Sequence, residues 1–191
     1  PEPQCDRCGR PLPAGAICPS CREFPLALDG IRSVYRYASP LKEALGRFKY
    51  VGARVAGADL GPLLTAYLLA YPLPVDAVTP VPLHPTRLRA RGFNQAEALA
   101  AGMAATAKLP LLITAVERVR DTPSQARQPS RAHRHANMQA AFRADPAVVA
   151  GRSILLVDDV CTTGATLNAV AEALQAAGAA HVWALTLARA L

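Results

Sequence analysis

The fold is decided by residues 154–167, which read ILLVDDVCTTGATL. The strongly apolar segment 153–157 predicts a buried strand, and Asp158 and Asp159 follow it directly. A short turn rich in threonine and glycine comes next, and a helix is predicted to begin at Ala165. Because ligands of open α/β sheets bind at the carboxyl ends of strands, this order of strand, acids, turn and helix predicts a ligand site.

The turn after the two acids suits a monophosphate. Free backbone amides of a glycine-containing turn and of a helix N-terminus together make an anion site. Threonine hydroxyls at positions 162, 163 and 166 add donors, and Gly164 allows the backbone to approach the phosphate. The turn has neither the Gly-Lys-Ser/Thr of a Walker loop nor the three-glycine spacing of a dinucleotide fingerprint.

The two acids need a separate explanation, because a carboxylate beside a phosphate repels it. Asp158 and Asp159 are therefore predicted to accept hydrogen bonds from sugar hydroxyls or to lie near a bound cation. The alternative is a capping acid and a buried ion pair at the strand end. Cys161, between the acids and the turn, is interpreted as a spacer and not as a nucleophile.

Strands alternate with helices over residues 29–191, which predicts a mainly parallel sheet with helices on both faces. Residues 84–92 are predicted to form a basic connection, and the polar residues 121–138 a mobile loop. The predicted strands are 31–37, 75–81, 111–116, 153–157 and 181–187. The predicted helices are 41–48, 53–69, 93–107 and 165–177.

Two Cys-x-x-Cys pairs, Cys5 with Cys8 and Cys18 with Cys21, hold four of the five cysteines. Two such pairs complete a tetrahedral four-thiolate zinc site, and a site closed by four protein ligands is structural. The alternatives are two disulfides, which need an oxidising compartment, and a redox pair, which needs a strand–helix unit. The sequence therefore predicts a small zinc ribbon at residues 1–28.

The net charge of +7 is concentrated in one segment. Residues 84–143 hold ten lysines and arginines against three acids, so the rest of the chain is neutral. The segment is predicted to face a phosphorylated small molecule, a nucleic acid or a membrane surface, and the alternative is a solvated basic face. Few aromatic residues accompany it, which argues against a stacking groove for single strands.

Composition and patterning exclude other classes of protein. Apolar residues at 51% and charged residues at 18% exclude a disordered chain. No apolar run reaches the roughly 18 residues of a membrane span, and no signal segment is recognisable. We therefore expect a cytoplasmic protein without membrane insertion.

Residues 157–166 closely resemble the phosphoribosyl pyrophosphate (PRPP) motif of type I phosphoribosyltransferases. The resemblance implies a type I phosphoribosyltransferase-like fold, a Mg²⁺ ion bound with PRPP, and pyrophosphate as the leaving group. It gives Asp158 and Asp159 the catalytic role of holding the ribose hydroxyls. The residues that it implies in PRPP binding are Asp158, Asp159, Val160, Thr162, Thr163, Gly164, Ala165 and Thr166.

Nearly the whole chain resembles the ComF family, which joins a zinc module to a phosphoribosyltransferase domain and is associated with competence for natural transformation. The resemblance is carried by the cysteine pairs and by residues 48–50, 80–83, 91–95 and 187–189. It implies a pyrophosphate loop at the turn after Pro80, with residues 121–137 as a lid. The residues expected to assist at that loop are Lys49, Pro82, Leu83, Arg87 and Arg91.

These observations leave two functions open. The first is a Mg²⁺-dependent phosphoribosyltransferase of the DNA-uptake machinery, acting on an unidentified acceptor. The second is a non-catalytic PRPP-binding accessory protein that binds incoming single-stranded DNA through the basic segment. Proteins of the competence machinery are expected as further partners in both cases.

Overall fold

The computed structural model describes residues 3–12, 17–48, 53–120 and 141–190. Lys49 and residues 121–138, which the sequence singled out, lie outside the described residues. The described strands are β1 (Gly30–Arg36), β2 (Ala77–Pro80), β3 (Val116–Arg118), β4 (Phe142–Ala144), β5 (Ser153–Cys161) and β6 (His181–Arg189). The described helices are α1 (Pro19–Glu23), α2 (Leu41–Phe48), α3 (Ala53–Ala70), α4 (Pro85–Arg91), α5 (Gln95–Ala107), α6 (Pro146–Val149) and α7 (Ala165–Ala176).

Four parallel strands form the main sheet in the order β1-β6-β5-β2. Ile154 and Leu156 of β5 share a buried cluster with apolar residues of α7. Leu155 and Val157 share a different cluster with residues of α3 and α5, because successive side chains of a strand point to opposite faces. The predicted α/β fold, with a mainly parallel sheet and helices on both faces, is confirmed. None of the described helices is both long enough and apolar enough to cross a bilayer.

The N-terminal cysteine segment packs directly on the α7 face of the sheet. Its four cysteines belong to the same buried cluster as residues of β1, β5 and α7. The backbone is joined as well, since Ile31 N donates to Arg7 O at 2.8 Å and Ala27 N donates to Asn168 Oδ1 at 2.7 Å. The segment shares the main core, and the domain division at residue 28 stays a prediction.

The prediction of a basic connection at residues 84–92 is wrong, because α4 occupies this stretch. The His84 side chain accepts a hydrogen bond from the backbone N of Thr86 and caps the helix, and Pro85 takes its first position. Gly92 ends the helix with a φ of +82°. None of the residues of α4 is buried, so the helix has no apolar periodicity from which it could be predicted.

The predicted strand at residues 111–116 is also wrong in its position. Within residues 111–115, Leu111 makes an isolated bridge to Val78 of β2, and Leu112 N donates to Val78 O at 2.8 Å. The chain forms its strand later, as β3, which pairs antiparallel with β4 in a separate two-stranded sheet. The partner of this segment lies far along the chain, and local patterning does not reveal it.

Helices α3 and α5 approach each other through glycine. A Cβ atom on Gly61 would lie 2.6 Å from the carbonyl carbon of Gly102, and one on Gly102 would overlap Gly57 O. These positions therefore need a residue without a side chain. The contact fixes α5 against the sheet, and the N-terminus of α5 borders the candidate site described below.

Substitution Gly102→Ala is expected to lower the free energy of unfolding by about 1–3 kcal/mol, because the added methyl group forces α3 and α5 apart. Urea denaturation measures the change. Gly46→Ala is the matched control, since a Cβ there meets no atom within 4 Å and should stabilise α2 by about 0.5–1 kcal/mol. Equal stability of Gly102→Ala and the unsubstituted protein would contradict this packing.

Candidate functional site

The two acids lie within β5, not after it. The predicted end of the strand at Val157 is wrong, because residues 158–161 continue to pair with β6 as far as Cys161. Asp158 and Asp159 are both half-buried. Asp158 Oδ1 accepts a hydrogen bond from Asp159 N at 2.9 Å. Asp159 Oδ1 accepts one from Val160 N at 2.7 Å, so the backbone holds both carboxylates.

The turn between β5 and α7 presents a helix N-terminus. Gly164 caps α7 in a left-handed conformation with a φ of +82°. A Cβ there would be strained and would lie 3.0 Å from Ile31 Cδ1, so this position favours glycine. The first turn of α7 contains no acidic residue, and Thr163 Oγ1 accepts from Ala165 N at 3.4 Å. The positive end of the helix dipole is thus not neutralised by an acid within that turn.

The turn after β2 lies beside the end of β5. Val81 N donates to Val157 O at 2.9 Å, and this bond brings Pro82 and Leu83 toward the acids. The buried side chain of Asn94 caps α5 by accepting from Ala96 N at 3.1 Å. Its Nδ2 also donates to Val81 O at 3.0 Å. The second bond joins α5 to the turn after β2, and local sequence patterning does not reveal it.

The arginines of α4 follow this turn. Arg87 and Arg91 are both half-buried and lie four residues apart, which places them on one face of the helix. Arg91 Nη1 donates to Gln95 Oε1 at 2.7 Å, which ties α4 to α5. The structure therefore puts the acids, the threonine-rich turn, the β2 turn and α4 near one edge of the sheet.

A cavity of about 730 Å³ separates the β2 turn from the sheet formed by β3 and β4. Its walls include Pro82 and Leu83 on one side and Val116, Arg118 and Arg143 on the other. A volume of this size accommodates a small organic molecule. This cavity could not be predicted from local sequence patterns, because its two walls meet only in the folded chain.

The sulfur atoms of Cys5, Cys8, Cys18 and Cys21 lie within 4.8 Å of one another, and all four residues are buried. The Cys8 and Cys18 sulfurs are 3.7 Å apart, and none of the four is in a disulfide. Tetrahedral Zn–S bonds of about 2.3 Å place sulfurs about 3.8 Å apart, so the donor set fits zinc. These four residues can hold a metal ion such as zinc.

The four-cysteine cluster contains thiols whose pKa values shift in opposite directions. Burial raises the pKa of the Cys8 and Cys21 thiols, because the thiolate loses its solvation. Burial also opposes ionisation of Cys5, but hydrogen bonds from the Cys18, Cys8 and Arg7 backbone lower the pKa of Cys5 to about 6. Cys18 N donates to Cys5 Sγ at 3.3 Å. Part of the site is therefore prepared for a cation before any cation binds.

Cys161 is a buried thiol at the start of the turn. Burial raises its pKa to about 11, although the Arg189 guanidinium opposes this shift. A thiol with so high a pKa is neutral near pH 7 and weakly nucleophilic. The interpretation of Cys161 as a spacer agrees with its burial and with this raised pKa.

Comparisons with known proteins agree with this geometry. Residues 89–191 match the family described as the phosphoribosyl transferase domain. Competence protein ComFC of Bacillus subtilis is 33% identical over 97% of this chain and 77% of that protein. Competence protein F of Haemophilus influenzae is 33% identical over 98% of this chain and 85% of that protein. DNA utilization protein YhgH of Salmonella typhi is 34% identical over 98% of this chain and 84% of that protein.

The parallel sheet, the strand–turn–helix site and the matched region together define a phosphoribosyltransferase-type domain. The near full-length relatives and the four-cysteine cluster show more specifically that the chain belongs to the ComF family. The family resemblance seen in the sequence is thereby confirmed. The roles predicted for individual site residues stay predictions.

Zinc binding at pH 7 is expected to release protons from Cys8 and Cys21, because their raised pKa values keep these thiols protonated without metal. Zinc titration of chelator-stripped protein in buffers of different ionisation enthalpy measures the release. Acid favours the protonated thiols, so zinc affinity should fall as the pH decreases. Cys8→Ser should lower zinc content, and Cys161→Ser, outside the cluster, should not. Zinc affinity independent of pH would contradict thiolate ligation.

Proposed function

We propose that the chain is a PRPP-binding phosphoribosyltransferase of the DNA-uptake machinery, transferring the phosphoribosyl group to an unidentified acceptor. The observation that carries this proposal is the junction of β5 and α7. There, two half-buried carboxylates near the end of β5 are followed, after four intervening residues, by a glycine-capped helix N-terminus. The competence names of the relatives support the link to DNA uptake.

The turn would hold the 5-phosphate of PRPP. Amides at the start of α7 lack acceptors within the helix, and the helix dipole favours a negative charge there. The threonine hydroxyls at positions 162, 163 and 166 add donors around the same point. Phosphate binding at this turn uses the backbone, so it depends mainly on the conformation of Gly164.

The two acids would hold the ribose. Each carboxylate accepts one backbone hydrogen bond at an Oδ1 atom, and an ionised carboxylate has room for further donors. The 2- and 3-hydroxyl groups of ribose are such donors. Only Val160 and Cys161 separate the acids from the turn, so one sugar phosphate can contact both groups.

The turn after β2 and the arginines of α4 would bind the pyrophosphate. In the transfer, a nucleophilic atom of the acceptor bonds to ribose C1 while the bond from C1 to the pyrophosphate oxygen breaks. The acceptor loses its proton to solvent, and the pyrophosphate leaves with the bonding electrons. Mg²⁺ bound with PRPP supplies positive charge to this leaving group, and carboxylates such as Asp158 and Asp159 are oxygen ligands of the kind it prefers.

The 730 Å³ cavity between the β2 turn and the β3–β4 sheet is a suitable place for the acceptor. It shares Pro82 and Leu83 with the proposed pyrophosphate loop, so an acceptor there adjoins the reacting bond. Glu117, on its wall, is hydrogen-bonded by Arg143 Nε at 2.7 Å, and Asp145 caps α6. Both carboxylates already accept a hydrogen bond within the protein. The chemistry proposed here therefore relies on stabilising the leaving group and not on a general base.

The proposal is tested by PRPP binding in the presence of Mg²⁺. Asp158→Asn and Asp159→Asn should each weaken PRPP binding by about 10- to 100-fold, because each removes a charged hydrogen-bond acceptor. Asp59→Asn, an exposed position on α3, is the matched control and should bind PRPP normally. Pyrophosphate release with a panel of bases, amines and nucleotides then identifies the acceptor. PRPP affinity that survives both substitutions together would refute the proposed site.

The second candidate function, a PRPP-binding accessory protein that handles single-stranded DNA, is favoured by a different cavity. This cavity of about 350 Å³ is lined by Tyr35, Tyr67, Tyr71 and Arg36. Tyr35 and Tyr71 are 46% and 42% exposed, and the rings of Tyr67 and Tyr71 lie 5.0 Å apart. Exposed rings beside arginine are the surface on which single-stranded bases stack.

The basic segment supplies less free charge than its sequence suggests. Arg118 is buried with its guanidinium 5.5 Å from the ring of Phe142, and Arg143 is paired with Glu117. Among the described residues of the segment, the arginines of α4 remain as its densest group of cations. DNA binding would therefore depend on α4 and on the tyrosine cavity, which lie in different parts of the fold.

Binding of oligodeoxythymidine tests this second function. Tyr35→Ala combined with Tyr71→Ala should weaken binding about fivefold or more, since each stacked base contributes about 1–3 kcal/mol. Phe24→Ala, which removes an exposed ring outside the cavity, is the control. The affinity should also fall steeply with salt. Binding that is unaffected by the two tyrosine substitutions would exclude the cavity as the DNA site.

A further inference from the structure

Arg189 is a buried cation at the carboxyl end of β6, in the segment 187–189 to which no role has yet been assigned. The residue is only 4% exposed. Its Nη1 atom donates to the carbonyl oxygen of Cys8 at 2.5 Å and to the sulfur of Cys161 at 3.2 Å. One guanidinium therefore contacts both a member of the four-cysteine cluster and Cys161, the last residue of β5. Cys161 directly precedes residues 162–166, the proposed site of the 5-phosphate, which are called the phosphate turn below.

The charge of Arg189 has no carboxylate partner within the described part of the chain. Its Nε atom is buried and has no hydrogen-bond acceptor there. A buried cation without a counter-charge is costly. Zinc held by four thiolates is a net anionic centre, because the four negative ligands exceed the charge of one divalent ion. Metal binding at the cysteines would thus supply the charge that the Arg189 site requires.

Cys161, the second partner of the Arg189 guanidinium, lies against the phosphate turn. Cys161 pairs in register with Arg189, and Ala190 N donates to Cys161 O at 2.9 Å. A Cβ on Gly164 would lie 3.9 Å from Cys161 Sγ, so the thiol packs beneath the glycine that shapes the turn. The contacts form a continuous path from Cys8 through Arg189 and Cys161 to Gly164.

A second contact runs parallel to the first. Ile31 N donates to Arg7 O at 2.8 Å, between the two cysteines of the first pair. The Cδ1 atom of the same residue is the nearest neighbour of the Cβ position at Gly164, at 3.0 Å. The metal-binding segment and the phosphate turn are thus connected by two separate sets of contacts, one through Arg189 and Cys161 and one through Ile31.

We propose that Arg189 is a positioning residue that couples metal binding at the four cysteines to the conformation of the phosphate turn. The proposal rests on the proposed function only in naming PRPP as the ligand of the turn. The zinc centre holds the guanidinium, the guanidinium holds the Cys161 sulfur, and the sulfur supports Gly164. Because coupling between two sites is reciprocal, PRPP must tighten zinc binding by the factor by which zinc tightens PRPP binding.

The test compares two arginines that both contact the cysteine segment. Arg189→Met removes the link to Cys161. Arg32→Met is the matched control, because Arg32 Nη1 donates to Asp6 O at 2.9 Å, whereas its ring contact is with Trp183 and not with the turn. Hydrogen–deuterium exchange of residues 161–167 is measured on zinc-loaded proteins without PRPP. Exchange should rise about fivefold or more in Arg189→Met and stay unchanged in Arg32→Met.

Zinc affinity is then measured with and without saturating PRPP and Mg²⁺. We expect PRPP to raise it about fivefold or more in the unsubstituted protein and in Arg32→Met, and by a clearly smaller factor in Arg189→Met, where only the contact through Ile31 remains. A merely structural role of Arg189 would lower stability without weakening this linkage. If Arg189→Met does not fold, Arg189→Lys replaces it, since it keeps the charge but loses the planar group, and the same weakening of the linkage is expected.

Two results would overturn the coupling. One is exchange of residues 161–167 that is the same in the Arg189 variant and the unsubstituted protein. The other is zinc affinity that PRPP does not change although PRPP binds. Failure of PRPP to bind at all would instead refute the proposed function, and the exchange comparison would still decide the role of Arg189.

Discussion

The reversal of the chain between β5 and α7 is the constraint on which the rest of the site depends. Gly164 takes a φ of +82°, and Ile31 and Cys161 occupy the space beneath it, so the turn has one compact conformation. That conformation directs the amides of α7 toward the carboxyl edge of the sheet, where the two acids lie near the end of β5. Parallel pairing then brings the turn after β2 to the same edge, and the buried Asn94 side chain fixes it there.

The four-cysteine segment packs against the same face of the sheet as α7, beside this edge. A segment this short cannot bury enough apolar surface to fold alone, so metal binding and contact with a larger core are its two sources of stability. The cysteines lie in the same buried cluster as residues of β1 and α7, so the contact with the larger core is present in the structure. A metal ion bound at the four cysteines would add rigidity beside the turn between β5 and α7.

The sequence predicted those features whose causes are local. The order of strand, acids, glycine turn and helix at residues 153–177 predicts the strand–turn–helix structure of that segment. The two Cys-x-x-Cys pairs likewise predict four sulfur atoms close enough to bind one metal ion. Helix α4 was not predicted, because it has caps at His84 and Gly92 but no buried face that would produce an apolar periodicity in the sequence. The contacts of Arg189 with Cys8, 181 residues away, and the cavity that unites Tyr35 with Tyr71 arise only when distant segments meet.

The central claim is that PRPP binds at the junction of β5 and α7, and a crystal structure with PRPP and Mg²⁺ tests it most directly. The account predicts the 5-phosphate against the backbone amides of residues 162–166, with the ribose hydroxyls on Asp158 and Asp159. The pyrophosphate should point toward the turn after β2. A well-occupied PRPP molecule elsewhere on the protein, or crystals saturated with PRPP that leave this turn without density, would contradict the claim.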